Sequence, residues 1–166
     1  ATMHDEFVEA VFNTDSPMPA TEQKETFQAI LEDTIGDDLS YEVVQTVHEQ
    51  IRDMIEEHKA DKTAEPLVVS KREVKSMLES CGVSEDSIVA FEEKYDAEFG
   101  AGIDLSAQNI VNEKKFEVRT PDVVIQVNPE RSDLLETRVI DGFRYILIRA
   151  EEGVEVNGMN INIAHE

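Results

Sequence analysis

At 166 residues the chain is long enough for one domain with a real core, or for two small lobes, and too short for several large domains. With 40% hydrophobic and 31% charged residues it has the composition of a folded protein, and its single cysteine, Cys81, excludes an internal disulfide framework and any Cys-rich zinc site. The net charge of -22 is concentrated in front, where residues 1–104 hold 26 Asp and Glu against 8 Lys and Arg, while residues 105–166 hold 11 against 7; the front would repel a nucleic acid and only the back could approach one.

Phe7, Val8, Val11 and Phe12 have helical spacing, and the stretch from Asn13 to Pro19 then breaks the chain, so the opening reads as the tail of an element that begins elsewhere. Asp5, Glu6 and Glu9 stand where a signal peptide needs positive charge, and no run of 18 apolar residues follows anywhere, which predicts a cytosolic protein with no membrane contact. Thr21 is placed to cap a helix whose Phe27, Ile30, Leu31 and Ile35 share one face, with Gly36 ending it. Ser40 is placed to cap a longer helix carrying the stripe Val43, Val44, Val47, Ile51, Met54, Ile55 and His58. The two helices are expected to form an acidic antiparallel hairpin over residues 1–66, closed by a polar linker from Lys59 to Pro66.

Residues 67–166 are expected to form a second module packed together as one. Leu67 to Val69 reads as a short extended piece. Ser70 and Glu73 have capping-box spacing ahead of the stripe Val74, Met77, Leu78 and Cys81, where Cys81 serves as a small buried hydrophobe. Gly82 ends that helix, and Ser84 caps the next, with Ile88, Phe91, Tyr95 and Phe99 at three- and four-residue intervals. From Lys115 the period shifts toward two: Phe116 and Val118, then Val123, Ile125 and Val127, with breaks at Pro121 and at Asn128-Pro129. Asp141-Gly142 and Asn157-Gly158 each carry the chemistry of a two-residue hairpin. The consecutive Ile146, Leu147 and Ile148 predict a central strand, apolar on both faces. The class is therefore α+β: N-terminal helical hairpins followed by a C-terminal antiparallel β-meander of four or five strands.

Motifs that carry chemistry are scarce. The helix pair over 70–100 has the outline of a helix-turn-helix, but Glu85, Asp86, Glu92, Glu93, Asp96 and Glu98 against Lys94 alone would be expelled from a major groove. His48-Glu49 opens like a zinc-protease signature, yet Arg52 occupies the place of the second histidine. His58 lies ten residues on, roughly 80° around the helix, and fits a cation near a helix C-terminus. Asp37 and Asp38 lack calcium-loop spacing and read as a solvated acidic loop. No nucleophile elbow and no Gly-rich phosphate loop occurs. No catalytic, cofactor-binding or metal-binding residue is assigned, and the balance leans against an enzyme.

The most suggestive feature is cationic. Lys114, Lys115, Arg119, Arg131, Arg138, Arg144 and Arg149 fall within the strand region, and Arg138 and Arg144 flank the Asp141-Gly142 turn, so they are expected to face one another across it. Together these form a candidate anion-binding strip; the ordinary alternative is that outward strand positions carry arginine to pair with Glu117, Glu136 and Glu155, or with the acidic helices.

The segments MPATEQKETFQAILEDTIG (18–36), YEVVQTVHEQIRDMIEEHK (41–59), KFEVRTPDVVIQVNPE (115–130), LETRVIDGFRYILI (135–148) and GVEVNG (153–158) resemble the C-terminal part of an uncharacterised family of Firmicutes proteins, a domain of unknown function numbered 4317. The resemblance spans about Asp5 to Ile163; it implies a bacterial protein with a larger N-terminal region, and brings no activity, cofactor or site residue. The order of elements, with FEEKYDAEF (91–99), is similar also to bacterial nucleoid-associated proteins, although the acidic balance opposes the DNA binding that this implies. Three functions follow in order: a non-catalytic interaction or assembly module with a protein partner or a second copy, a nucleic-acid-binding module using the cationic strip, and a metal-dependent enzyme.

Overall fold

The computed structural model describes residues 18–61 and 65–163; the expected helical tail at Phe7 to Phe12 lies outside them. Helix α1 spans Ala20–Ile35 and α2 spans Tyr41–Ala60, with a short 3-10 turn, Gly36–Asp38, between them. Ser40 caps α2 as predicted, accepting the Val43 N–H at 3.4 Å. Thr21 does not cap α1; Pro19 stands at the N-cap, and its carbonyl accepts the first helical bond from the Gln23 N–H at 2.9 Å. Proline presets the backbone for a helix entrance without a side-chain cap.

Helix α3 spans Lys71–Ser80 and α4 spans Glu85–Glu98. The capping box at α3 is complete: Ser70 Oγ accepts the Glu73 N–H at 3.1 Å and Glu73 Oε1 accepts the Ser70 N–H at 2.9 Å. Ser84 Oγ accepts the Ser87 N–H at 3.3 Å at the start of α4. Strands β1 (Val68–Val69) and β2 (Leu105–Ser106) pair antiparallel and bring a one-turn helix, α5 (Ala107–Ile110), back onto the bundle.

The packing order differs from two separate hairpins. α1 packs on α4 and α5 rather than chiefly on α2, α2 packs on α3 and α5, and α3 packs on α4. One core holds them all, including Phe27, Ile30, Ile51, Ile55, Leu78, Phe91 and Tyr95. Compact units therefore divide between Glu113 and Lys114, not at the linker near residue 66. The physical reason is that the stripe of each helix is apolar enough to be shared with helices distant in sequence, so the polar linker is crossed by a continuous core. Lys71 and Lys75 fasten α3 to α4 through Asp96 at 2.9 Å and Glu92 at 3.3 Å. Cys81 is half-buried against this core.

The second unit begins at Lys114 and contains β3 (Phe116–Arg119), β4 (Val124–Val127), β5 (Leu135–Ile140), β6 (Phe143–Ile148), β7 (Val154–Val156) and β8 (Met159–Ile161). All pairing is antiparallel, in the expected α+β order of helices first and strands last. The strands do not join into one meander: β3 pairs with β4, β5 with β6 and β7 with β8, and no further pairing links them among the described residues. Asp141-Gly142 and Asn157-Gly158 make the predicted turns, with φ of 52° and 83° in the first and 51° and 83° in the second. Positive φ at both positions is the mirror-image turn whose twist matches its strands.

Candidate functional site

The second unit buries very little. Among its described residues only Phe116, Ser132 and Leu135 are buried. Two-stranded hairpins are marginal in water by themselves, and three side chains are too few for a core. Much apolar surface is left open on the hairpins: Val139 and Phe143 are each 67% exposed, Met159 65% and Ile148 58%. The apolar run Ile146 to Ile148 is not the central strand that its composition predicts. β6 pairs with β5 alone, and its other edge has no strand beside it among the described residues.

An open cavity of about 640 Å³ lies against the β5–β6 hairpin, lined by Thr137, Arg138, Val139, Arg144, Tyr145 and Ile146, with Thr120 and Pro121, from the β3–β4 turn, at its side. Its lining offers apolar groups, hydroxyls and the guanidiniums of Arg138 and Arg144, but no carboxylate, histidine or thiol. Among the described residues no cluster of three or more His, Cys, Asp or Glu could hold a metal ion.

The cations of the strip mostly lie beside carboxylates. Arg119 Nη2 donates to Glu117 Oε2 at 3.2 Å, and Lys115 Nζ sits 3.5 Å from Glu117 Oε1. Arg138 Nη2 donates to Glu136 Oε1 at 2.9 Å. Arg131 and Arg149 interlock with Asp133 and Glu151: Arg131 reaches Asp133 at 3.1 Å and Glu151 at 2.8 Å, and Arg149 reaches them at 3.1 Å and 3.0 Å. Hydrogen bonds from Arg131 hold the Asp133 and Glu151 carboxyls below the usual carboxylate range, and Arg119 does the same to Glu117. The same two carboxylates push the Arg131 guanidinium further up. Arg144 makes no ion pair with a described residue. Lys114 lines a separate shallow depression with Lys115, Gln126 and Asn128.

Arg138 and Arg144 do not face one another. The two-residue turn pairs Arg138 with Tyr145 and Val139 with Arg144. Paired residues share a face and successive residues alternate, so the two guanidiniums leave opposite faces of the hairpin. The cations of the strip therefore do not gather on one face.

A family model for a domain of unknown function, DUF4317, matches residues 1–159. The chain belongs to that family. No curated protein and no solved structure matches this DUF4317 chain. In its helical unit the described histidines are engaged in structure: His48 Nε2 lies 3.2 Å from the Asn112 carbonyl and His58 Nε2 lies 2.6 Å from that of Glu65. A carbonyl only accepts, so Nε2 carries the proton in both. Asp38 Oδ2 accepts the Ser84 N–H at 3.4 Å, at the entrance of α4, where negative charge is favourable. Among the described residues no helix of the DUF4317 chain is long and apolar enough to cross a membrane.

What sequence reading passed over here is the exposure of the hairpins. Strand periodicity shows which residues alternate but not whether a second layer covers them. The one available signal was length: β7 and β8, at three residues each, are too short to bury a face of their own.

Proposed function

We propose that the DUF4317 chain is a non-catalytic interaction module, in which the acidic helical unit is the folded body and the C-terminal hairpins take up a protein partner. The observation that carries this reading is a unit whose described residues form six strands with three buried side chains and exposed Val139, Phe143, Ile148 and Met159. Unpaired strand edges beside apolar side chains form a surface suited to strand addition or to packing against another protein. The reading places the module in the bacterial cytosol, where its single free cysteine stays reduced.

A polyanion partner for Lys114, Lys115, Arg119, Arg138, Arg144 and Arg149 has less to recommend it. At Arg119, Arg138 and Arg149 phosphate would have to compete with Glu117, Glu136, Asp133 and Glu151 for guanidiniums that these carboxylates already hold. A metal-dependent enzyme has no observation in its favour.

Site-specific photocrosslinking in the native cell tests the proposal. A photoreactive side chain at Phe143 should trap one defined protein product, and the same group at exposed Glu93 on α4 should not. No product from Phe143, or the same product from both positions, refutes it.

A further inference from the structure

We propose that the partner taken up by these hairpins is a second copy of the chain, paired antiparallel along the free edge of β5 about a two-fold axis at Thr137. The proposal rests on the reading of the hairpins as a docking surface. It starts from the direction of the backbone groups. The Arg149 N–H donates to the Leu134 carbonyl at 2.8 Å, and β5 pairs with β6 in register from Leu135↔Ile148 to Ile140↔Phe143. Backbone groups alternate along an antiparallel pair, so Glu136, Arg138 and Ile140 bond toward β6, while Leu135, Thr137 and Val139 present theirs to the opposite edge. The Leu135 N–H is used internally, on the Ser132 carbonyl. This leaves the Leu135 carbonyl and both backbone groups of Thr137 and Val139 for another strand.

The sequence of β5 is chemically self-complementary about the same residue. Turned on itself at Thr137, the strand places Thr137 opposite Thr137, Glu136 opposite Arg138, and Leu135 opposite Val139 of the other copy. The first two are favourable cross-strand pairs, hydroxyl with hydroxyl and carboxylate with guanidinium; the Leu135 side chain is already buried, so the third position contributes its backbone bond. The pairing also has the correct hydrogen-bond phase. Thr137 would exchange both backbone bonds with its mate, and each Val139 N–H would donate to the Leu135 carbonyl of the other copy. Glu136 and Arg138 fall in the non-bonded positions, where side chains approach most closely. Their present bond at 2.9 Å within one strand could be traded for the pair across the axis without leaving a charge alone. The other edge of this hairpin lacks such symmetry: β6 turned on itself about Ile146 would set Arg144 against Ile148. The product is a four-stranded sheet in the order β6, β5, β5, β6, large enough to stand where a lone hairpin is marginal.

Sedimentation equilibrium of the full chain tests the register. The parent chain should dimerise. Glu136→Arg and Arg138→Glu alone should each weaken the dimer about tenfold, since each turns two symmetry-related attractions into repulsions. The double exchange should restore it, and an equimolar mixture of the two single variants should form a mixed dimer. Thr137→Pro removes an outward N–H that takes no part in the ladder to β6, and should abolish dimerisation; the charge exchange decides the matter should that variant unfold. A monomer at the highest soluble concentration, or a double exchange no tighter than either single, overturns the proposal. A dimer that ignores all of these changes but is lost on replacing Val139 and Phe143 with serine also overturns it, and leaves the hairpins as a docking surface of another geometry. The broader reading falls separately, on the photocrosslinking result at Phe143.

Discussion

Removing the Tyr95 hydroxyl should make the helical unit less stable at neutral pH and more stable in strong alkali. Tyr95 is fully buried, its ring tilted against Phe91 and Phe99 with centroids 5.8 Å and 5.0 Å away, and its hydroxyl donates to the Ile103 carbonyl. Tyr95→Phe keeps the ring contacts and deletes one neutral hydrogen bond, worth about 0.5 to 1.5 kcal/mol net. Ile103 is itself exposed, so water can reach the carbonyl left behind and the loss belongs toward the lower end. Burial, then the charges of Asp104 and Asp96, push the Tyr95 hydroxyl up to about 12 from an ordinary value of 10.0. A group whose folded value is raised contributes stability that is fully present below pH 10 and is lost as pH rises through about 12. At about 1.4 kcal/mol per decade that loss approaches roughly 2 to 3 kcal/mol, and the variant, with no phenol at this position, is immune to it. Urea unfolding of both proteins across alkaline pH should therefore show the parent ahead at neutrality and the variant ahead by about pH 12, while the other tyrosines contribute equally to both. Parallel curves with no crossing would refute the assignment, as would a phenolate absorbance titration in which the variant still shows the late component.

Three further outcomes follow from the structure. Ser70→Ala should cost about 1 kcal/mol by breaking the capping box, and adding Glu73→Ala should cost less than it does alone, because the two bonds are reciprocal; chemical denaturation reads both. Gly142→Ala forces a side chain to φ of 83° with open space around it, so about 1 kcal/mol of backbone strain should fray the β5–β6 turn, seen as faster amide exchange at Ile140 and Phe143 with the helical unit unchanged. Asp133 and Glu151 have lowered values, so the stability they lend is present above the ordinary carboxylate range and lost as pH falls through their depressed values; Arg131→Gln should move both carboxyl titrations upward in side-chain NMR.

Local chemistry was legible wherever a few neighbouring residues decide the outcome. Ser40, Ser70 and Ser84 cap the helices that follow them, and Asp141-Gly142 and Asn157-Gly158 turn as their composition demands. Legibility ended where a choice depends on distant partners. Whether α1 lies mainly on α2 or on α4 is decided by which stripes fit, and every stripe in the bundle is apolar. The run Ile146 to Ile148 has the composition of a central strand, but a strand becomes central only when others pair beside it. The register of Arg138 is legible in the turn itself. A two-residue loop at 141 and 142 pairs Ile140 with Phe143, and counting outward reaches Tyr145, not Arg144, opposite Arg138. A one-residue slip in that count reverses the face of every side chain.

Charge links the exposed hairpins to a usable interface. A net charge of -22 gives each copy a field that should resist close approach by another and so oppose indiscriminate pairing of open strand edges. Salt screens it, with a Debye length of about 10 Å at 0.1 M and about 3 Å at 1 M. Screening also weakens the two Glu136–Arg138 pairs across the proposed axis, but exposed pairs contribute only about 0.2 to 1 kcal/mol each. The long-range term involves every charge on both chains and should dominate at low ionic strength. Self-association of this chain should then tighten as salt rises, whereas a nucleic acid held by lysine and arginine would be released by the same change. Sedimentation across a salt series separates the two, and a self-association that weakens steeply with added salt would show that local ion pairs, not backbone pairing and apolar contact against a repulsive background, hold the copies together.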